Sequence, residues 1–309
     1  MRNTIFFLGK GGVGKTTLSS AFALTLARSG KKVLIASLDP AHNLGDALRA
    51  TLNGKPVAVE PNLDALEVNL SEWVDRYLKE SREQLKSNYS YDMALNLDSF
   101  FDILKYSPGT EEYAVLWAIE DIHCRLAPLY DYVVFDTPPT ALSLRFLSLP
   151  AISGLWVAEL TKLREKILKS RQTIVRLNPA SPVAESCVDK DDDKVYGKLR
   201  SIRERLAMLS ALFSKQSFIS VIINPDELSI YEALRIKDEL NRLDIPLSAI
   251  CLNKQGVSDA AWHIDPALSH LPRFTYNFSR DGIQSRNDLF TIGLEPLIHQ
   301  FLHEKEHQR

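Results

Sequence analysis

Cysteine and methionine are scarce in this chain of 309 residues, with three of each. Cys124, Cys187 and Cys251 stand singly, which excludes a disulfide framework or a C-x-x-C zinc clamp and fits a reducing compartment. An excess of positive charge is missing too. Lys and Arg number 37 against 39 Asp and Glu, for a formal net charge of −2, and no basic face stands out, so no nucleic-acid partner is expected. No run approaches the roughly 18 apolar residues of a membrane span, so no direct membrane insertion is expected. Met1-Arg2-Asn3 leads straight into an apolar run, with neither a signal nor a transit peptide, and the expected location is cytoplasmic.

What is there suits a large α/β fold. At 45% hydrophobic and 25% charged residues, the chain can bury a sizeable core. Continuous apolar runs at 4–8, 32–37, 132–135, 218–223, 247–252 and 273–276 predict parallel strands covered by helices on both faces, a doubly wound sheet. Cys251 falls in one of these runs and reads as core. In such sheets ligands gather at the carboxyl ends of the strands, where Asp39, Asp136, Asn224 and Asn253 lie. Two stretches, about 71–129 and 151–214, are too long for simple crossovers and carry apolar residues at helical spacing. Trp73, Tyr77, Phe100, Phe101 and Leu104 mark the first. The second has one stripe from Ile152 through Leu155, Trp156, Leu160 and Leu163 to Ile167, and another from Leu199 through Leu206 and Leu209 to Phe213. The spacing predicts one domain over 1–309 with an inserted helical subdomain made of these two stretches. The stripes serve either as core or as a groove for an apolar helix. Between them, Asn178 to Tyr196 reads as a loop, with Asp191-Asp192-Asp193 a solvated charge run rather than a Ca²⁺ site.

The most informative stretch is Leu8-Gly9-Lys10-Gly11-Gly12-Val13-Gly14-Lys15-Thr16-Thr17, a P-loop between a strand and a helix. Its glycines let backbone N–H groups from Gly11, Gly12, Val13, Gly14, Lys15, Thr16 and Thr17 face phosphate, and the helix adds its partial positive charge. Lys15 is expected to reach the β- and γ-phosphates of ATP and the Thr16 hydroxyl to join Mg²⁺. It is the sole motif of this kind, so one nucleotide site is expected. Lys10 is a second cation, more than phosphate cradling within one subunit requires.

Two carboxylates complete the expected chemistry. Asp39, in Leu38-Asp39-Pro40-Ala41-His42-Asn43, is placed to orient or deprotonate the water that attacks the γ-phosphate, though an Asp after a strand also serves as a helix cap. Asp136 follows four apolar residues, as in a Walker B strand, and is the expected Mg²⁺ carboxylate with Thr16. The Pro138-Pro139-Thr140 segment beyond it forms a second loop able to sense the γ-phosphate.

These segments together resemble the family of the arsenite-pump ATPase and the tail-anchored-protein targeting ATPase. The matching residues are Lys10 to Thr17, Asp39 to Leu44 with Asp46, and Asp136-Thr137-x-Pro139-Thr140 continuing through Leu144-Arg145-Phe146-Leu147 to Pro150. Weaker matches are Pro108-Gly109-Thr110-Glu111-Glu112 and Asn253. The resemblance implies a Mg²⁺-dependent ATPase acting as a homodimer, in which Lys10 reaches the partner's nucleotide and Asn253 contacts adenine. Hydrolysis would then drive opening and closing of the dimer and handling of an apolar client helix or a membrane-protein partner.

Three departures narrow this. The targeting branch carries a C-x-x-C zinc pair and a methionine-rich client groove, whereas this chain has neither. A metalloid-efflux pump subunit needs about three thiolates brought together, and none lies near Pro108. Pro138 and Ala141-Leu142 also replace the Ala and Gly-His usual in the family. A further alternative is a partitioning-type regulatory switch ATPase, which shares the loop; its membrane-tethered forms end in a basic amphipathic helix. Here Leu294, Leu297, Ile298, Phe301 and Leu302 share one face of the tail, but acidic and His residues occupy the other, so a helix covering the sheet is the expected role.

Overall fold

The computed structural model describes residues 3–41, 43–88, 109–180, 189–256, 265–279 and 282–306. His42, Phe100, Phe101, Leu104, Pro108 and Cys187, singled out above, lie outside them. Eight strands form one sheet: β1 (Thr4–Leu8), β2 (Val33–Ser37), β3 (Val57–Glu60), β4 (Leu63–Glu67), β5 (Tyr132–Asp136), β6 (Ser217–Ile223), β7 (Ala249–Gln255) and β8 (Arg273–Asn277). Their order is β3-β4-β2-β5-β1-β6-β7-β8, and every neighbouring pair is parallel except β3 with β4. The fold is the expected α/β, mainly parallel P-loop architecture. Strands β3 and β4 were not anticipated. Both are short, with Asp64 and Glu67 breaking the apolar pattern of β4, and β3, an antiparallel edge, lacks the double-sided burial that writes a continuous apolar run.

The helices are α1 (Lys15–Arg28), α2 (Leu44–Leu48), α3 (Leu70–Asn88), α4 (Thr110–Asp121), α5 (Thr140–Leu177), α6 (Lys194–Ala211), α7 (Glu227–Arg242), α8 (Arg286–Phe290) and α9 (Glu295–Glu306). The chain separates into two compact units, Met1–Phe146 with Ser214–Arg309, and Leu147–Phe213. The first of the two long helical stretches thus lies within the sheet-bearing unit, and the second makes up most of the other.

In the first unit, α9 and the residue before it cover the sheet through Leu294, Leu297, Ile298 and Phe301, all buried. Phe301 meets Phe22, Tyr132 and Phe218 edge-on, at centroid separations of 5.9, 5.2 and 5.4 Å. Full burial of one such ring contributes about 1.5–3 kcal/mol. Phe6 stacks on Phe135 on neighbouring central strands, at 4.8 Å. Helices α3 and α4 pack through Tyr77, which stacks on Tyr113 and meets Trp117 edge-on. Cys251 is buried, as expected of core.

In the second unit the two stripes part ways. Leu206, Leu209 and Phe213 are buried, whereas Ile152, Leu155, Trp156, Leu160, Leu163 and Ile167 on α5 are all exposed. Asp193 departs from the solvated run read for Asp191 to Asp193: it is buried, takes two hydrogen bonds from Arg164 at 3.0 and 2.6 Å, and caps α6 by accepting from the Tyr196 N–H. Lys194 to Tyr196, read as loop, begin that helix. The lack of a run of about 18 apolar residues does not by itself exclude a helix of membrane-span length. Among the described residues, α5 is long and apolar enough to cross a membrane, with 28% of its most apolar window buried. Its apolar residues are interrupted by single polar ones, so no unbroken run marks them.

Candidate nucleotide site

The site grows from the carboxyl end of β1. At Gly9 a Cβ would come 2.7 Å from the Ile222 carbonyl oxygen on β6, so only glycine lets the loop leave the strand there. Gly14 sits at φ +98° as the residue before α1, and a Cβ on it would lie 2.5 Å from the Asn253 side-chain nitrogen. The loop therefore closes over its own helix N-terminus, where partial positive charge and unpaired N–H groups favour an anion. The first turn of α1 holds no acidic residue to compete.

Lys15 is buried and donates to the Lys10 carbonyl oxygen at 3.3 Å. Burial lowers its pKa, while Asp136 and Asp39 pull it back up. The Thr16 hydroxyl donates to Asp136 Oδ2 at 2.8 Å, and Ser37 donates to the same oxygen at 3.5 Å. Asp136 ends β5 fully buried, and its other oxygen, Oδ1, is buried without a hydrogen-bond partner. Burial is the main cause that pushes its pKa to about 7; Thr16, Lys15 and Ser37 oppose the rise, and Asp39 adds to it. An unsatisfied carboxylate oxygen beside a hydroxyl with lone pairs to spare is a donor set that fits a hard, oxygen-seeking cation such as Mg²⁺.

Asp39 receives a hydrogen bond from the Ala41 N–H at 3.0 Å, and its own N–H donates to Ser37 Oγ at 3.3 Å. It turns its own loop and is not the cap of α2, whose capping position is Asn43. The exit of this loop is held by Glu67 of β4, which accepts from the Gly45 N–H at 2.8 Å. Beyond β5, the Thr137 hydroxyl donates to the Phe7 carbonyl oxygen at 2.5 Å, and Thr140 has a buried hydroxyl without a partner at the start of α5. Arg145 then donates to the buried Glu112 at 2.9 Å, joining two segments singled out separately by sequence.

Asn253 donates to the Val13 carbonyl oxygen at 2.8 Å, directly against the loop. Lys10, Gly11, Gly12, Val13, Gly14, Lys15, Thr16, Thr17, Asp39, Asp136 and Asn253 thus all fall at the P-loop end of the sheet or on the loops leaving it. Sequence reasoning missed Ser37, which touches both Asp136 and the Asp39 backbone, and Lys254, whose Nζ donates to the Gly12 carbonyl oxygen at 2.7 Å. Each lies next to a residue that was singled out, but one serine or lysine at a strand end carries no signal of its own. Asp226 was missed as well: its carboxylate lies 3.9 Å from Lys10 Nζ.

A glycine loop closed on a helix N-terminus, with a buried lysine, a threonine hydroxyl and a carboxylate on an adjoining strand, defines a P-loop nucleotide hydrolase. Residues 2–262 match the family model described as anion-transporting ATPase, and the chain belongs to that family. It is 31% identical to a protein of Aquifex aeolicus named as an arsenical pump-driving ATPase 2, over 81% of this chain and 79% of that one. It is 30% identical to the ATPase ASNA1 homolog 2 of Paramecium tetraurelia, over 81% and 75% of the respective chains. A protein of Chlorobaculum tepidum named as an arsenical pump-driving ATPase shares 32% identity over 80% of this chain and 60% of its own length. The chain is therefore an ATPase that binds nucleotide.

Proposed function

We propose that this protein hydrolyses ATP with Mg²⁺ at a site completed by a second copy of the chain, and that the cycle governs contact with an apolar client helix or a membrane-protein partner in the cytoplasm. The observation that carries the chemistry is the pairing of Thr16 with Asp136, whose remaining carboxylate oxygen is buried and unsatisfied. In this reading the N–H groups of Gly11 to Thr17 bind the phosphates, Lys15 steadies the β- and γ-phosphates, and Asn253 lies toward the adenine. Thr16 and Asp136 would hold Mg²⁺, which when bound supplies positive charge to the oxygens of the transferring phosphoryl group. Asp39 exchanges its bond to the Ala41 N–H for a water, orients that water in line with the γ-phosphate and takes up its proton. Asp39 lies near enough to Lys15 and Asp136 to influence both electrostatically, which supports this placement.

Lys10 supports the dimer reading. Its side chain is 42% exposed, it is not among the groups that line the cradle, and it is the residue that resembles the cross-dimer lysine of the family. The exposed stripe on α5 supports the client reading, because large apolar side chains exposed together at helical spacing favour an interaction site. We further read the second helical stretch, with the first, as the subdomain that moves in the cycle. An Asp39→Asn protein loaded with ATP tests the reading: it is expected to bind a fluorescently labelled transmembrane-helix peptide more tightly than the nucleotide-free protein. Equal affinity in the two states would count against coupling of hydrolysis to a client.

A further inference from the structure

The pairing of β1 with β6 runs from Thr4 with Ser217 to Leu8 with Val221. The same register carries the two chains out of the sheet side by side, so the loop holding Lys10 emerges next to the β6 exit, which turns at Asn224 into α7 at Asp226. Lys10 Nζ lies 3.9 Å from Asp226 Oδ1, and the two side chains are 42% and 44% exposed. Asp226 is already employed: its carboxylate caps α7, accepting from the Ser229 N–H and the Ser229 hydroxyl, each at 2.8 Å. These two bonds fix the carboxylate in place, so it faces Lys10 as a preset negative charge rather than a mobile one.

We propose that Asp226 is a latch on Lys10, holding the second P-loop lysine in its own subunit until a partner's nucleotide draws it away. The inference rests on the dimer reading above. A lysine that must act across an interface leaves its carboxylate when the dimer closes and returns to it when the dimer opens, so the charge of Asp226 biases the molecule toward the open form. An exposed pair of this kind is weak by nature, which suits a contact that has to be made and broken at every turnover. Because each dimer contributes two such lysines, the bias acts twice.

The test uses Asp226→Asn, which removes the charge and keeps a side chain that caps helices as well as aspartate does. ATPase activity per subunit is measured against protein concentration at saturating Mg-ATP, for the wild-type chain, Asp226→Asn, Lys10→Ala and the double variant. The expected result is that Asp226→Asn reaches half-maximal activity at a protein concentration lower by roughly two- to five-fold for each lysine released. Its rate at saturation stays that of the wild type, and its thermal midpoint is unchanged. In the Lys10→Ala background, which lacks activity, the dimer fraction at saturating Mg-ATP is followed by sedimentation against protein concentration instead, and the same substitution is expected to leave it unchanged. An unchanged concentration dependence in Asp226→Asn, with Lys10→Ala impaired, overturns the latch and leaves the dimer reading standing. A shift that persists without Lys10 also overturns it, since the carboxylate would then act on something else. Wild-type behaviour in Lys10→Ala overturns the dimer reading, and the latch with it.

Discussion

The two compact units of this chain dispose of their apolar residues in opposite ways. In the sheet-bearing unit, phenylalanines at 6, 7, 22, 135, 218 and 301 are fully buried, and the polar groups that escape solvent include Lys15, Asp136, Thr137 and Thr140 at the P-loop end. In the unit Leu147–Phe213, Leu206, Leu209 and Phe213 are buried, while Leu155 and Trp156 on α5 stand 72% and 69% exposed. The first gathers buried charge at its nucleotide end, and the second shows a stripe of oil. In the proposed reading, the buried charge awaits a ligand that neutralises it and the exposed apolar stripe a partner that covers it. The difference separates a nucleotide site assembled from buried polar groups at the end of the sheet from an apolar surface whose proposed role needs another molecule.

The largest effect is expected at Lys15. Replacement by Ala abolishes nucleotide binding, measured with a fluorescent ATP analogue, and retained binding would break the buried-charge half of the comparison. Asp39→Asn is expected to keep ATP and slow its hydrolysis at least ~10²-fold, because it loses water positioning and not the phosphate cradle. Normal turnover would remove Asp39 from its catalytic role. In the second unit, Leu209→Ala is expected to cost about 2–5 kcal/mol in denaturant unfolding, as a buried leucine does.

A smaller effect belongs to Asp136. Its carboxyl keeps a proton up to about 7 in the folded chain against an ordinary 3.8 unfolded, so folding takes up a proton between those values. The contribution is full below 3.8 and is lost as pH rises to 7. Stability of the nucleotide-free protein measured across that window is therefore expected to fall more steeply with pH in the wild type than in Asp136→Asn. Equal slopes would contradict a pKa raised by burial at Asp136. The smallest effect is at Leu155: substitution by Ala is expected to move stability by no more than about 0.5 kcal/mol while reducing binding of an apolar dye. A loss like that at Leu209 would make α5 an ordinary core helix and erase the contrast.

Most of the nucleotide site was legible because a P-loop is a backbone device. Its glycines are demanded by positive φ at Gly14 and by the contact of Gly9 with Ile222, and such demands leave a mark in the sequence. The buried parallel strands were legible for a related reason, since covering on both faces writes a continuous apolar run. The edge pair β3 and β4 wrote no such run. Which of two helical stripes would be core was not legible either: Leu160 and Leu206 have the same chemistry and spacing, and only tertiary packing separates the exposed one from the buried one. Asp193 looked like part of a charge run because Arg164, its partner, lies 29 residues away in the sequence. Asp226 escaped notice for the same reason, since strand register and not spacing brings it to Lys10.

The central claim, that a second copy of the chain completes the nucleotide site, is tested most directly by mixing two inactive variants. Lys10→Ala and Lys15→Ala subunits are combined, exchange of subunits is verified by energy transfer between labels, and ATPase activity is followed. In a mixed dimer the Lys10→Ala chain keeps Lys15 in its own site and receives Lys10 from its partner, so one intact site forms and activity is predicted to return on mixing. Exchange without any return of activity would contradict the account.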